Sequence, residues 1–218
     1  MSERLALFPL RTVLYPGLVL PLHVFEDRYR DLVRDLVALP EDVPKEFGVV
    51  TIRRGREALT DEEPELYAMG CTASVRRVGS YPDGRFDLTT AGARRFRLLA
   101  TDTTEHAYTT GEVEFVGEPE GEDPAPWAAR VVELFHDYQA RIVGDERADR
   151  QEVPTDPLVV SYLVSAAMVL DLVEKHELLA APDTTSRLRV LARLLRRETA
   201  LIAALGALPA ADLLRDSS

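Results

Sequence analysis

The sequence predicts an α+β chain in two parts, a strand-rich lobe with one helix over residues 1–118 and a four-helix bundle over 119–218. Two observations carry this. Through residue 118 the apolar positions recur mostly at every second residue between turn signals, and beyond it they recur at helical spacing. Between the two regimes lies Gly117 to Pro126, GEPEGEDPAP, a mixture of glycine, proline and acid that reads as a linker. The 218 residues, 46% hydrophobic and 29% charged, suffice to bury a core without disulfide staples.

The opening stretch Leu5 to Val24, LALFPLRTVLYPGLVLPLHV, holds two short apolar runs around a loop punctuated by Pro16 and Gly17. Pro9 and Pro21 lack an amide donor, so they suit strand ends, bulges or sheet edges. From Glu26 to Leu39, Tyr29, Leu32, Val33 and Leu36 fall at helical spacing among charges, which predicts an amphipathic helix on a sheet. Glu46 to Arg53 is a β-branched strand, and Arg54 to Pro64 a charged, exposed connection. From Leu66 to Val78 alternation puts Met69, Cys71, Ala73 and Val75 on one face until Arg76-Arg77-Val78 breaks phase, as a bulge would. Pro82-Asp83-Gly84 turns this strand into Arg85 to Thr90 as a hairpin. Alternation around Phe96–Ala100 and Val113–Val116 adds further strands, for six or seven in all. Such a chain hides its edges best by curling into a barrel or packed sheets.

In the second half Trp127, Val131, Leu134, Phe135, Tyr138 and Ile142 form one helical stripe, ending in the polar run Gly144 to Gln151. Asp156 before Pro157 reads as a helix cap with proline at the first helical position, opening a helix to about Met168. Asp171 with Glu174 opens a short helix to Leu179. Asp183 caps the last helix, lined by Leu188, Leu191, Leu195 and Ile202 and stopped by Gly206 and Pro209. Asp212 to Ser218 is expected to fray.

Read together and in order, these stretches carry a resemblance. FPLRTVLYPGLVLPLHVFEDRY resembles the opening of the substrate-binding amino-terminal domain of the Lon protease family: a PLR, an apolar triplet, PG, then an apolar PL and a helix. Tyr67 to Gly70 and Ser80 to Thr90 resemble the family's strand, PDG-hairpin and strand block. Asp156-Pro157 through Leu205 resembles its carboxy-terminal helices. The resemblance implies a PUA-like β barrel for the first lobe and a substrate-recognition role. The family's ATPase and Ser-Lys peptidase domains follow this region, and the chain is expected to act without them, as a stand-alone protein.

The residues themselves point away from catalysis. Lys45 is followed by Glu46 and Lys175 by His176, so neither closes a phosphate-binding loop. Cys71, the single cysteine, lies on an apolar strand face far in sequence from His23, His106, His136 and His176, which predicts a buried, inert thiol and a reducing compartment. No Cys-x-x-Cys or paired histidines suggest a metal, and no cofactor is expected. His23 and Glu26 read as surface or cap residues. Asp61-Glu62-Glu63 and Glu118 to Asp123 read as solvated acidic loops. The net charge of −11 argues against a nucleic-acid partner. No stretch reaches the ~20 apolar residues of a membrane helix, and no leader pattern opens the chain, so the cytoplasm is the expected compartment.

Arg187, Arg189, Arg193, Arg196 and Arg197 form the sharpest charge cluster, either an exposed helix face complementing the helix dipole or a site for an acidic partner. Arg76, Arg77, Arg94, Arg95 and Arg97 on the strands pose the same alternative. The loop with Val13, Leu14, Tyr15 and Leu18 is the expected contact site for a partner. It either presents an exposed apolar patch or folds back as core. Edge strands offer a second route, by strand addition. Trp127 is read as structural.

The function expected is thus a non-catalytic polypeptide- or protein-binding module, a client-recognition or adaptor protein in protein quality control. Its partners would be unfolded or partly unfolded polypeptides, or a protein partner, and it would be a monomer or weak dimer. The alternatives are a small-molecule-binding protein or hydrolase using a cleft between lobes, and an RNA-binding PUA-like protein.

Overall fold

The structure is a computed structural model that describes residues 2–54, 64–143 and 154–206. The expectations for the 54–64 connection, the 144–151 run and the 212–218 tail fall wholly or mostly outside these residues. The described chain is α+β, with β1 (Glu3–Leu10), β2 (Val19–Val24), α1 (Asp27–Ala38), β3 (Glu46–Arg54), β4 (Glu65–Ser80), β5 (Phe86–Asp102), β6 (Thr110–Phe115), α2 (Pro124–Val143), α3 (Pro157–Ala167), α4 (Leu172–Ala180) and α5 (Thr184–Gly206). It divides into two compact units, one of Met1–Glu118 with Ala166–Ala180, the other of Pro119–Ser165 with Ala181–Ser218. Helix α4 therefore groups with the strands rather than with the other helices.

In the first unit the strands form one mixed sheet in the order β2-β5-β4-β3-β1-β6, with β1 and β3 parallel and the other pairs antiparallel. β6 pairs with β1 on one side and with the carboxy-terminal half of β5 on the other, so the ladder returns to β5. β2 hangs on the other half of β5. The sequence reads Arg85–Thr90 and the alternation around Phe96–Ala100 as separate strands. The structure runs them together as one long strand, β5, with a register shift in the β4–β5 ladder between Cys71 and Ala73. The phase break at Arg76–Arg77 is a second shift in that ladder, between Val75 and Arg77.

Both prolines sit where no ladder bond is lost. Gly92 donates its amide to Leu18 O at 2.8 Å, and in the Val19↔Ala91 register this turns Pro21 toward the open edge of β2. Pro9 lies past Ala6, where the β1–β6 register ends.

The sheet buries both faces. On one, Leu7, Val50, Phe96 and Val113 pack together. The Phe96 ring fills this space only because residue 70 is glycine: a Cβ there would meet Phe96 at 2.4 Å. On the other face Phe8, Phe47, Val49, Cys71 and Leu88 receive Tyr29, Leu32, Val33 and Leu36 of α1, with the Phe8 and Tyr29 rings stacked at 4.0 Å. Leu7 and Phe8, adjacent in sequence, belong to opposite faces, as strand geometry requires.

In the second unit α2 packs along α5, and Val131, Phe135, Tyr138, Leu188, Leu191 and Leu195 are buried. Ile142, read as part of the same stripe, is half exposed at the helix end. The Asp183 carboxylate accepts the Ser186 amide at 2.7 Å and opens α5. Asp156 accepts the Val159 amide and Asp171 the Glu174 amide in the same way, opening α3 and α4.

Candidate functional site

The loop expected to meet a partner is core. Leu14 is 4% exposed and Tyr15 2%, Val13 is buried, and Leu18 is half-buried, so three of the four residues have no surface to give. The reason lies in the partner strand. Gly17 donates its amide to Gly92 O at 2.8 Å, and a Cβ at position 92 would stand 2.1 Å from the Tyr15 carbonyl oxygen. Glycine at 92 lets the loop backbone lie directly on β5, which carries Leu14 into the α1 cluster. Tyr15 is then sealed from above, its hydroxyl donating to the Lys175 carbonyl of α4 at 2.8 Å. An apolar loop is buried here because a helix distant in sequence supplies its lid.

α4 is fixed by two further contacts. His176 stacks on Tyr67 at 3.9 Å, and its Nε2 lies 3.2 Å from the Met69 carbonyl, where burial holds its pKa below the usual histidine value. Arg95, read as one of a group of strand arginines, is fully buried instead of exposed. Its guanidinium donates to the Glu118 carboxylate at 2.7 Å and to the carbonyls of Leu179 at 2.8 Å and Gly117 at 2.9 Å. Those bonds satisfy a charge that would otherwise be costly to bury. They also place it at the carbonyl end of α4, which favours a cation.

One open apolar surface of this unit lies elsewhere. Pro9, Pro64, Leu66, Ala68, Leu98, Leu99, Ala100, Thr101, Thr103 and Thr109 line a groove of about 300 Å³. Three strands meet there, β1 ending, β4 beginning and β5 ending. Its floor is continuous with the core, since Leu66 and Leu98 pack against the Phe96 cluster. A register shift in the β5–β6 ladder between Leu98 and Ala100 leaves Leu99 unpaired and 51% exposed at the groove mouth. None of the ten lining residues is charged, in a chain that is 29% charged. The threonines supply a polar rim around an apolar floor, the composition of a site that takes apolar groups and orients them by hydrogen bonds.

Of the other candidates among the described residues, Cys71 and His23 show no reactive pairing. Cys71 is buried, and burial pushes its thiol up to about 12, so at neutral pH it stays protonated. His23 does not approach a nucleophile; its Nδ1 pairs with Asp87 at 2.6 Å, and Tyr81 donates to the other Asp87 oxygen at 2.5 Å. Among the described residues no group of three or more His, Cys, Asp or Glu could hold a metal ion, and no helix is long and apolar enough to cross a membrane.

The family model for the ATP-dependent protease La (LON) substrate-binding domain matches residues 4–197. The chain belongs to this LON substrate-binding family. Among curated relatives, it is 26% identical over 201 residues to Lon protease 2 of Syntrophobacter fumaroxidans, covering 86% of this chain and 24% of that protein. It is 28% identical over 195 residues to Lon protease 1 of Hydrogenovibrio crunogenus, covering 87% and 23%. The chain thus spans about a quarter of the length of these relatives. Among solved structures, the Lon N-terminal domain protein from Xanthomonas campestris matches with a TM-score of 0.64 and 26% identity, over 88% of this chain and 98% of that one. The N-terminal domain of Mycobacterium avium complex Lon protease matches in fold with a TM-score of 0.66 at 24% identity, over 89% and 98%. The LON fold is therefore shared along nearly the whole chain.

Proposed function

We propose that this LON-family chain is a polypeptide-recognition module that seats apolar side chains of unfolded or extended segments in the groove around Leu99. The observation that carries the reading is the uncharged ten-residue lining with its bulged, half-exposed leucine. Membership of a substrate-binding family supports it. The closed cycle of strand pairings supports reading the sheet as the PUA-like barrel of that family, with the groove at one mouth of it. The cellular role proposed is capture of damaged or partly unfolded clients in the cytoplasm, for hand-over within protein quality control. A chain of charge −11 favours polypeptide over nucleic acid as the partner.

The test is isothermal titration of the chain with a reduced, carboxymethylated model polypeptide, beside Leu99→Asp. Saturable binding by the parent chain, weakened at least about tenfold in Leu99→Asp, is the expected result. That loss corresponds to about 1.4 kcal/mol, the scale of a half-buried leucine contact plus a carboxylate forced against it. Equal binding by both proteins, with both folded by circular dichroism, would remove the groove from the account.

A further inference from the structure

Strands β4 and β5 part company at the groove. Their shared ladder runs from Ser80↔Phe86 to Met69↔Arg97 and stops there. Beyond it β5 continues to Asp102 paired with β6 alone, and β4 reaches back to Glu65 paired with β3 alone. Each strand therefore has one edge without a strand partner over this length, among the described residues. Leu66 and Ala68 of β4 and Leu98 to Thr101 of β5 line the groove, so it occupies the gap where the two strands separate.

Backbone phase decides what the β5 edge offers. In an antiparallel ladder the main-chain groups of successive residues point to alternate sides of the strand. Leu7 donates its amide to Thr109 O at 2.8 Å, so in the β1–β6 register the odd-numbered residues of β6, Gly111 among them, bond β1. Thr110 and Glu112 are left to bond β5, and they lie opposite Asp102 and Ala100. Thr101, between those two, turns its amide and carbonyl away from β6, to the side from which β4 has departed. No turn or loop among the described residues bonds either group, and Thr101 is exposed. Proteins commonly blunt such an edge with proline or charge. Pro21 does so on the open edge of β2, and Pro64 has no amide to offer where β4 approaches the groove, but Leu98 to Thr101 carry neither device.

We infer, on the reading of the groove as a polypeptide seat, that its occupant is an extended segment that adds to the β5 edge as a strand. The segment exchanges main-chain hydrogen bonds with Thr101 while every second side chain enters the groove. From Leu98 to Asp102 the edge is about 17 Å long, room for a strand of about five residues. The class of partner follows: apolar at alternate positions, extended, and without proline or any other blocked amide facing β5. A helical segment has its main chain bonded internally and is excluded. Recognition by side chains alone makes no such demand on the main chain.

The experiment is fluorescence anisotropy of the full chain with a labelled hexapeptide alternating leucine and threonine, beside two versions of it N-methylated on one or the other alternate set of amides. All three share the same side chains. Strand addition expects saturable binding of the parent peptide, weakened about tenfold or more by one methylated set and held within about twofold by the other, because a strand shows β5 only one of its edges. Thr101→Pro deletes the facing amide and no ladder bond, so it should weaken binding of the parent peptide about tenfold with the melting temperature held. Should that variant not fold, the peptide series decides alone. Equal binding of all three peptides, or undiminished binding by folded Thr101→Pro, would overturn strand addition, and the groove would stand as a side-chain site if Leu99→Asp still weakened binding. Equal loss with both methylated sets would also overturn it, by showing that neither edge is preferred. No binding of the parent peptide, or binding indifferent to Leu99→Asp, would remove the groove and this inference with it.

Discussion

The loop at residues 13–18 and the groove mouth around Leu99 are made of the same kinds of side chain, lie in the same unit, and end in opposite states. Leu14 and Tyr15 are sealed beneath α4 and against β5, whereas Leu99 stands half in solvent at the edge of an uncharged hollow. What separates them is backbone. Glycine at 92 allows the loop to settle on its partner strand, and the unpaired position between Leu98 and Ala100 forbids Leu99 the same. Apolar composition says that a surface wants cover; register and reach decide whether it finds any.

The sharpest way to break this comparison is to attack the sealed side. Leu14→Asp buries a carboxylate in the α1 cluster and is expected to cost at least about 3–5 kcal/mol, enough to unfold a marginally stable domain. Urea unfolding followed by circular dichroism would check it, and a loss below about 1 kcal/mol would show the loop to be surface after all.

Next in size is Arg95→Met. The substitution removes a buried cation but leaves the Leu179 and Gly117 carbonyls and the Glu118 carboxylate without their donor, at an expected cost of about 3–5 kcal/mol. Native-state hydrogen exchange should show the loss concentrated in α4, with faster exchange there than in α1.

Acid gives a smaller, graded test of the same lid. His176 has a folded-state pKa held below its unfolded value of 6.5 by burial, so as pH falls the unfolded state takes up this proton before the folded state does. Its contribution is complete above pH 6.5 and is lost as pH drops below that value through the folded pKa. The melting temperature should therefore fall between pH 6.5 and 5 more steeply in the parent chain than in His176→Phe, which keeps the stack on Tyr67 without titrating. The smallest stability effect is expected at the open side, where Leu99→Asp should shift unfolding by no more than about 0.5 kcal/mol.

What the sequence made legible was local. Asp156, Asp171 and Asp183 each cap the helix they announce, because a cap is decided within four residues. The phase break at Arg76–Arg77 marked a real register shift for the same reason. Sequence did not reveal that this groove forms, since it is assembled from Pro9, Leu66 and Leu99, residues on three strands brought together only by the pairing of distant segments. Nor did it reveal that Arg95 and Arg187 are buried: an arginine in a strand or helix reads as solvent-facing until its carbonyl, carboxylate and ring partners arrive from distant segments. Their neighbours Arg94 and Arg189 do face solvent, with nothing in the local pattern to tell the pairs apart.

Amide chemical-shift mapping with a short apolar peptide compares the two regions in one experiment. The account predicts saturable shifts at Leu66, Leu98, Leu99 and Thr101, with Leu14 and Tyr15 unmoved. Shifts concentrated at residues 13–18 and absent around Leu99 would contradict it.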